Sequence, residues 1–244
     1  MTGRGHARWV RLTHWMATAA VAALAFSGVE ILMVHPRLYW GDAGNDLTPP
    51  VLELPISRNY RHGGWTAATP LLAGPGAPVS AGRTFEIFNQ NGWGRSLHFL
   101  AAWLLVVPGL VYLLGGIFGG HFRSHIWPGS TELAPRHLWR DVANHLRLRI
   151  PRATGGPHYS VLQKCVYSFV VFAAMPLMGL SGLAMSPALT AAFPPLLRLF
   201  GGYQSARTIH FFTFVALLLF LIVHVAMVIK SGFRRQMRGM IAGD

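Results

Sequence analysis

Fifteen residues near the C-terminus, His210–His224, read HFFTFVALLLFLIVH and decide the class of fold. Twelve of the thirteen residues between the two histidines are hydrophobic, and the other is Thr213. In an α-helix both imidazoles leave almost the same face, about 21 Å apart along the axis. Ionisable side chains are costly in a membrane-spanning helix and predict a function. The structural alternative is that each histidine only hydrogen-bonds a neighbouring helix or marks a membrane interface.

The composition of the whole chain is that of a membrane protein. Of its 244 residues, 52% are hydrophobic and only 12% are charged, whereas ordinary soluble domains are about 25% charged. Four apolar segments reach the length of about 20 residues that spans a bilayer as a helix. They lie at about residues 13–33, 97–118, 161–185 and 207–229. The sequence therefore predicts an all-α fold, with residues 1–244 forming one integral membrane domain built on a four-helix transmembrane bundle.

The net charge of +13 is distributed unevenly along the chain. Arginine and lysine exceed acidic residues at both termini and in the connection 119–158, whereas they are balanced in the long connection 35–91. By the positive-inside rule, both termini and the connection 119–158 lie in the cytoplasm, and 35–91 is an external loop. We expect a multi-pass protein of the bacterial inner membrane. The basic excess fits contact with anionic lipid rather than nucleic-acid binding.

The first apolar segment imitates a secretory signal peptide, because it follows a basic start and contains Ala-Leu-Ala at 23–25. Its apolar run continues to Met33, however, which is longer than the core of a signal peptide. We therefore expect it to remain as the first membrane helix. Cys165 is the only cysteine, so an internal disulfide and a cysteine-ligated metal site are both excluded.

Two further histidines match the depths of the first two. Under the predicted topology, His14 begins the first helix level with His224, and His98 begins the second helix level with His210. Two imidazoles that face each other across a bundle suit the two axial positions of a haem iron. Structural zinc is a poorer fit, because it needs four ligands and each depth offers two. Glycines near the pairs, Gly28 and Gly182, would let a flat porphyrin approach the backbone.

These residues resemble a known family. The chain is similar to the di-haem cytochrome b subunits of nickel-iron hydrogenases and formate dehydrogenases. The similarity lies in the stretch RWVRLTHW at 8–15, in His98 and in the His210/His224 pair. The stretch HPRLYWGDAGN at 35–45 and the long external loop look more like thiosulfate-reductase-type cytochrome b subunits. The resemblance covers nearly the whole chain. The large external insertion departs from the hydrogenase and formate dehydrogenase pattern.

The resemblance implies two haem b groups, one held by His14 and His224 on the cytoplasmic side and one by His98 and His210 on the external side. It further implies that the chain transfers electrons between the quinone pool and a periplasmic oxidoreductase subunit that depends on molybdopterin. Quinone or quinol would be the exchangeable substrate. Haem propionates are anionic, so nearby arginines are candidate counter-charges. These are Arg8 and Arg11 on the cytoplasmic side and Arg95 and Arg207 on the external side. Anchoring at the membrane interface is the alternative role for each of them.

Two other classes of function remain open from the sequence. A stand-alone cytochrome b that oxidises superoxide or quinol has a related fold, but the long external loop favours a large external partner. A transporter that uses its histidines for protons or metal ions would show an internal repeat with broken helices. The chain has only a weak internal similarity, between FSGVEIL at 26–32 and LSGLAMS at 180–186. This similarity also fits two helices that pack on haems.

Overall fold

The computed structural model describes most of the chain, and most of what it describes is helical. The described residues are 7–45, 48–57, 91–120, 122, 126–129, 132–146 and 160–243. Four helices are long and apolar enough to cross a membrane. Large apolar side chains along them, such as Trp103, Leu110 and Leu219, are exposed, as a surface in contact with lipid requires. The predicted all-α fold with four transmembrane helices is confirmed.

Three of the four membrane helices begin earlier than the apolar pattern predicts. Helix α1 is Arg8–Val34, α2 is Asn91–Phe118 and α8 is Tyr203–Lys230. Their extra N-terminal turns contain polar residues that a hydropathy pattern excludes but that an interface accommodates. In α2, Pro108 lies inside an unbroken helix.

The remaining membrane helix is built from three pieces. Helix α4, Val161–Phe169, continues through the π-helical segment Val170–Ala174 into α5, Met175–Ala184. Ser160 and Gln163 form a capping box at its N-terminus. The π-helical turn precedes Pro176, which has no N–H and whose ring would collide with the carbonyl four residues earlier in a regular helix. The wider turn thus accommodates the proline without ending the helix.

The predicted external loop 35–91 is described only in its first part, and residues 58–90 lie outside the described residues. Strands β1, Arg37–Leu38, and β2, Leu52–Glu53, pair antiparallel in this part. Arg37 lies opposite Glu53 in the register, and their side chains form an ion pair at 3.5 Å. This small ribbon gives the first part of the loop a defined structure.

Polar residues in the first turns of α8 hold the segment 35–41. The Arg207 guanidinium donates to the backbone carbonyls of His35 and Arg37, the latter at 3.0 Å. Thr208 Oγ1 donates to the Tyr39 carbonyl at 2.6 Å, and Ser205 Oγ accepts from the Gly41 N–H at 2.7 Å. The first turns of α8 therefore provide hydrogen-bond partners for these backbone groups of the segment 35–41.

The connection 119–158, predicted to be cytoplasmic, contains helix α3, Pro135–Leu146. Just before it, the Lys164 ammonium donates to both carboxylate oxygens of Glu132 at 2.9 Å. That hydrogen bond, helped by the Gly129 N–H, holds the pKa of Glu132 below its usual value. Asp141 within α3 accepts from the Leu162 N–H at 2.9 Å. The described part of this connection is thus tied to the start of α4.

Short helices complete the described fold. Helices α6, Pro187–Ala192, and α7, Pro194–Leu199, lie between α5 and α8. Helix α9, Phe233–Ile241, follows α8. The last carbonyls of α9 accept hydrogen bonds from α1, Met240 from Trp15 Nε1 at 3.0 Å and Ile241 from Arg11 Nη1 at 2.7 Å.

The residue contacts divide the chain into two compact units. The first unit comprises Met1–Met16, Val107–Pro176 and Val215–Asp244, and the second comprises Ala17–Val106 and Leu177–Phe214. His14 and His224 belong to the first unit, whereas His98 and His210 belong to the second. Each unit therefore contains one of the predicted histidine pairs.

Candidate functional site

The second unit brings His98 and His210 face to face. His98 lies near the N-terminus of α2, and His210 lies near the N-terminus of α8. Their ring centroids are 6.2 Å apart, with an angle of 60° between the ring planes. The starts of two helices thus present one imidazole each to a shared space.

The first unit brings His14 and His224 together in the same way. Their ring centroids are 6.4 Å apart, and the ring planes are inclined by 49°. Aromatic rings flank this pair. The Phe220 ring stacks on His224 at 5.7 Å, and the Trp15 ring meets His14 edge-on at 5.4 Å. Both pairs that the sequence predicts are therefore present in the structure.

Both spacings fit one metal ion held between two imidazoles. A metal–nitrogen bond to histidine is about 2.0 Å long, and the nitrogen lies about 1.1 Å from the ring centroid, so two opposed rings place their centroids about 6 Å apart. The observed separations of 6.2 and 6.4 Å agree with this value. A haem iron uses its four porphyrin nitrogens and leaves two axial positions for protein side chains. Each pair therefore fits the axial ligands of a haem.

The two predicted glycines lie against the imidazoles of the second unit. A Cβ added at Gly28 would lie 3.7 Å from His98 Cε1, and one added at Gly182 would lie 3.4 Å from His210 Cε1. The next ring atom is Nδ1, 4.0 Å from the added Cβ at Gly28 and 3.7 Å from that at Gly182, so each glycine borders the Cε1–Nδ1 edge of the ring. The absent Cβ lets each helix backbone approach its imidazole closely.

Replacing Gly28 with alanine tests whether a haem packs against α1 at this position. The added Cβ is at ordinary contact distance from His98, so the fold is expected to be retained, with a gain of about 1 kcal/mol in helix propensity. A macrocycle that packs on the α1 backbone at this point, as the sequence predicts, would meet the new methyl group, and crowding of this kind costs about 1–3 kcal/mol, or about 5- to 150-fold in affinity. We expect one haem per chain to bind more weakly in a haem-titration experiment. Gly179→Ala is the matched control, because a Cβ there meets nothing within 4 Å. Equal affinity in both variants would contradict the expectation.

Sequence reasoning missed two serines that contact these histidines. Ser27 Oγ lies 3.0 Å from His98 Nδ1, and Ser181 Oγ lies 3.0 Å from His210 Nδ1. Each serine immediately precedes one of the two glycines. The sequence signal that could have identified them is the similarity between FSGVEIL at 26–32 and LSGLAMS at 180–186. The two stretches share a Ser-Gly dipeptide, and its serine contacts the histidine ring.

Glu30 is a third residue that sequence reasoning missed. Its side chain is fully buried in α1, three residues after Ser27 on the same helical face. A Cβ at Gly94 would come within 3.2 Å of the Glu30 Cβ, so α1 and α2 approach each other closely at this point. A buried carboxylate in a membrane-spanning helix is a candidate functional group.

Two of the four predicted arginines, Arg207 and Arg11, donate hydrogen bonds to backbone carbonyls. Arg207 holds the segment 35–41, and Arg11 donates to the end of α9, as described above. Arg8 and Arg11 line a surface cavity of about 500 Å³ together with Trp15. Arg95 lies over the Phe99 ring, with its guanidinium carbon 6.0 Å from the centroid. Their predicted contacts with haem propionates stay predictions.

Three arginines surround His35 in the second unit. Burial, followed by the positive charges of Arg207, Arg95 and Arg37, holds the pKa of His35 below its ordinary value. The imidazole is therefore neutral at pH 7, because its charged form would add to an already positive region.

Comparison with known proteins agrees with the geometry. A model of the prokaryotic cytochrome b561 family matches residues 5–243. A protein of Azospira oryzae, whose name describes it as subunit YedZ1 of a protein-methionine-sulfoxide reductase, is 32% identical over 223 residues, which cover 91% of this chain and 89% of that protein. No solved structure matches the chain. The resemblance to cytochrome b subunits is confirmed, and the family match implies haem b. The chain therefore belongs to the prokaryotic cytochrome b561 family.

Proposed function

We propose that this chain is the electron-carrying membrane subunit of an oxidoreductase complex and that it holds two haem b groups. His14 and His224 would be the axial ligands of one group, and His98 and His210 those of the other. The observation that carries this proposal is the pair of imidazole separations, 6.4 and 6.2 Å, in a chain of a cytochrome b family. Haem b, when bound, supplies one-electron redox chemistry.

The proposed orientation rests on the charge distribution. The excess of basic residues at both termini and in the connection 119–158 favours a cytoplasmic location for all three. His98 and His210 then lie towards the periplasm, and His14 and His224 towards the cytoplasm. On this basis, Arg95 and Arg207 are the proposed propionate partners on the periplasmic side, and Arg8 and Arg11 those on the cytoplasmic side.

A soluble partner is proposed to dock on the periplasmic side of the second unit. Trp40, Phe193 and Leu199 belong to this unit and are exposed, with 62%, 56% and 74% of their surfaces accessible. Aromatic and apolar side chains of this kind are enriched in the cores of protein interfaces. Trp40 belongs to the first part of the long loop, whereas Phe193 and Leu199 belong to the region of the short helices before α8.

The class of partner and the direction of electron flow follow from the relative and the resemblance. The Azospira oryzae protein is named as a subunit of a reductase that acts on methionine sulfoxide in proteins. A reductase consumes electrons, so we infer that electrons pass from membrane quinol through this chain to the partner. The resemblance to thiosulfate-reductase-type subunits supports a molybdopterin-dependent partner.

Haem oxidation kinetics in membranes test this function. In membranes that contain the chain and its soluble partner, a reduced quinone analogue is expected to reduce the haems. Adding a protein that carries methionine sulfoxide should then oxidise them again. Membranes without the soluble partner serve as the control and should keep their haems reduced. Haem that stays oxidised in the presence of quinol would contradict the quinol step, and haem oxidation without the partner would support a stand-alone oxidase instead.

A further inference from the structure

The hydroxyl groups of Ser27 and Ser181 occupy equivalent positions at the His98/His210 pair. Each lies 3.0 Å from the Nδ1 atom of one imidazole. Both serine side chains are fully buried. The two contacts come from different helices, α1 and α5, so they are two separate instances of one arrangement.

The proton of each hydroxyl is already committed to its own helix. Ser27 Oγ donates to the Ala23 carbonyl at 2.7 Å, and Ser181 Oγ donates to the Leu177 carbonyl at 2.7 Å. A serine hydroxyl has one proton and two lone pairs. Each serine therefore presents a lone pair to the histidine, which must donate from a protonated Nδ1.

With Nδ1–H donating to the serine, each neutral imidazole is the tautomer that is protonated on Nδ1. The neutral ring then has its lone pair on Nε2, the atom that is left to bind a metal.

We propose that Ser27 and Ser181 are positioning residues that fix the tautomer and orientation of the two axial histidines, and that they lower the reduction potential of the haem held there. This inference rests on the proposed function, because it assumes that His98 and His210 are axial ligands. A hydrogen bond accepted from Nδ1–H increases the basicity of the ligating imidazole, and a more basic ligand favours the oxidised iron.

The other histidine pair provides an internal reference. His14 and His224 are flanked by the aromatic rings of Trp15 and Phe220. Neither Ser27 nor Ser181 belongs to the unit that contains that pair. A change at either serine should therefore move the potential of one haem and leave that of the other unchanged.

Redox titration of the purified full-length protein, followed by absorption and electron paramagnetic resonance, tests the proposal. In Ser27→Ala and Ser181→Ala, the reduction equilibrium of one haem should shift towards the reduced form by about three- to tenfold, where tenfold corresponds to about 59 mV for one electron. Ser→Thr variants keep the hydroxyl and should restore the wild-type value. Ser96→Ala is the control, because Ser96 donates to its own helix at Gly92 in the same manner and lies on the helix of His98.

The outcomes separate the inference from the proposed function. Wild-type protein without haem would refute the proposed function itself. Wild-type protein with two haems, but with unchanged potentials and resonance signals in both alanine variants, would overturn only the role of the serines. Loss of one haem from the alanine variants and its retention in the threonine variants would support the positioning role. Equal behaviour of the alanine and threonine variants would overturn it.

Discussion

Replacing His98 or His210 with alanine is expected to lower the haem content of the purified protein from two to one per chain. In the proposed assignment each pair would supply both protein ligands of one iron, and the 6.2 Å separation of His98 and His210 leaves no room for a substitute side chain. Replacing His14 or His224 should also remove one haem, but the complementary one. Pyridine haemochrome analysis gives the stoichiometry, and the reduced-minus-oxidised spectrum identifies which haem remains.

His35 supplies the matched control for these variants. It lies in the same unit as His98 and His210, but it is the backbone carbonyl of His35 that accepts a hydrogen bond from Arg207. His35→Ala should retain both haems. A variant that combines His14→Ala with His98→Ala should retain none. Loss of both haems from every single variant would show that the four histidines do not form two independent sites.

Replacing Arg207 with methionine is expected to release the segment 35–41 from the start of α8. The substitution leaves the carbonyls of His35 and Arg37 without their charged donor, and we expect a loss of about 2–4 kcal/mol in local stability. Hydrogen exchange of the backbone amides in residues 37–41 should become faster by a corresponding factor. Exchange in α4 and α5 should change little.

Two further variants sharpen the test of Arg207. Arg207→Lys keeps the charge but loses the planar fork that reaches two carbonyls, so an intermediate effect is expected. Arg198→Met removes an arginine from helix α7 and should leave the exchange of the segment unaltered. Unchanged exchange in Arg207→Met would show that Thr208 and Ser205 hold the segment without the arginine.

The membrane helices and the histidine pairs could be predicted from the sequence because both depend on regular spacing. Apolar length alone defines a membrane span, and the depth of each histidine follows from the direction of its helix. The pairing of His14 with His224 and of His98 with His210 needed only this depth and the positive-inside rule. No contact between distant residues had to be known in advance.

The roles of the serines and arginines could not be predicted in the same way. A serine in a membrane helix ordinarily bonds its own backbone, so the repeated Ser-Gly step does not by itself identify His98 and His210 as the partners of Ser27 and Ser181. The sequence predicts cofactor carboxylates as partners of the arginines, but in the structure Arg11 and Arg207 also donate to backbone carbonyls. Which group an arginine binds depends on which backbone carbonyls lack a hydrogen-bond partner after folding. The local sequence does not show this.

The matching surroundings of His98 and His210 bear on how an asymmetric cofactor is oriented. Protohaem has different substituents on its two sides, so it can occupy a pocket in two orientations that are related by a half-turn. If His98 and His210 hold a haem as proposed, each side of the site carries a Ser-Gly step and an imidazole, and two such similar sides would barely distinguish these orientations. The surroundings of the other pair differ, because an indole meets His14 edge-on whereas a phenyl ring stacks on His224. At the His98/His210 pair, discrimination between the two orientations would then depend on the side chains around the edge of the macrocycle.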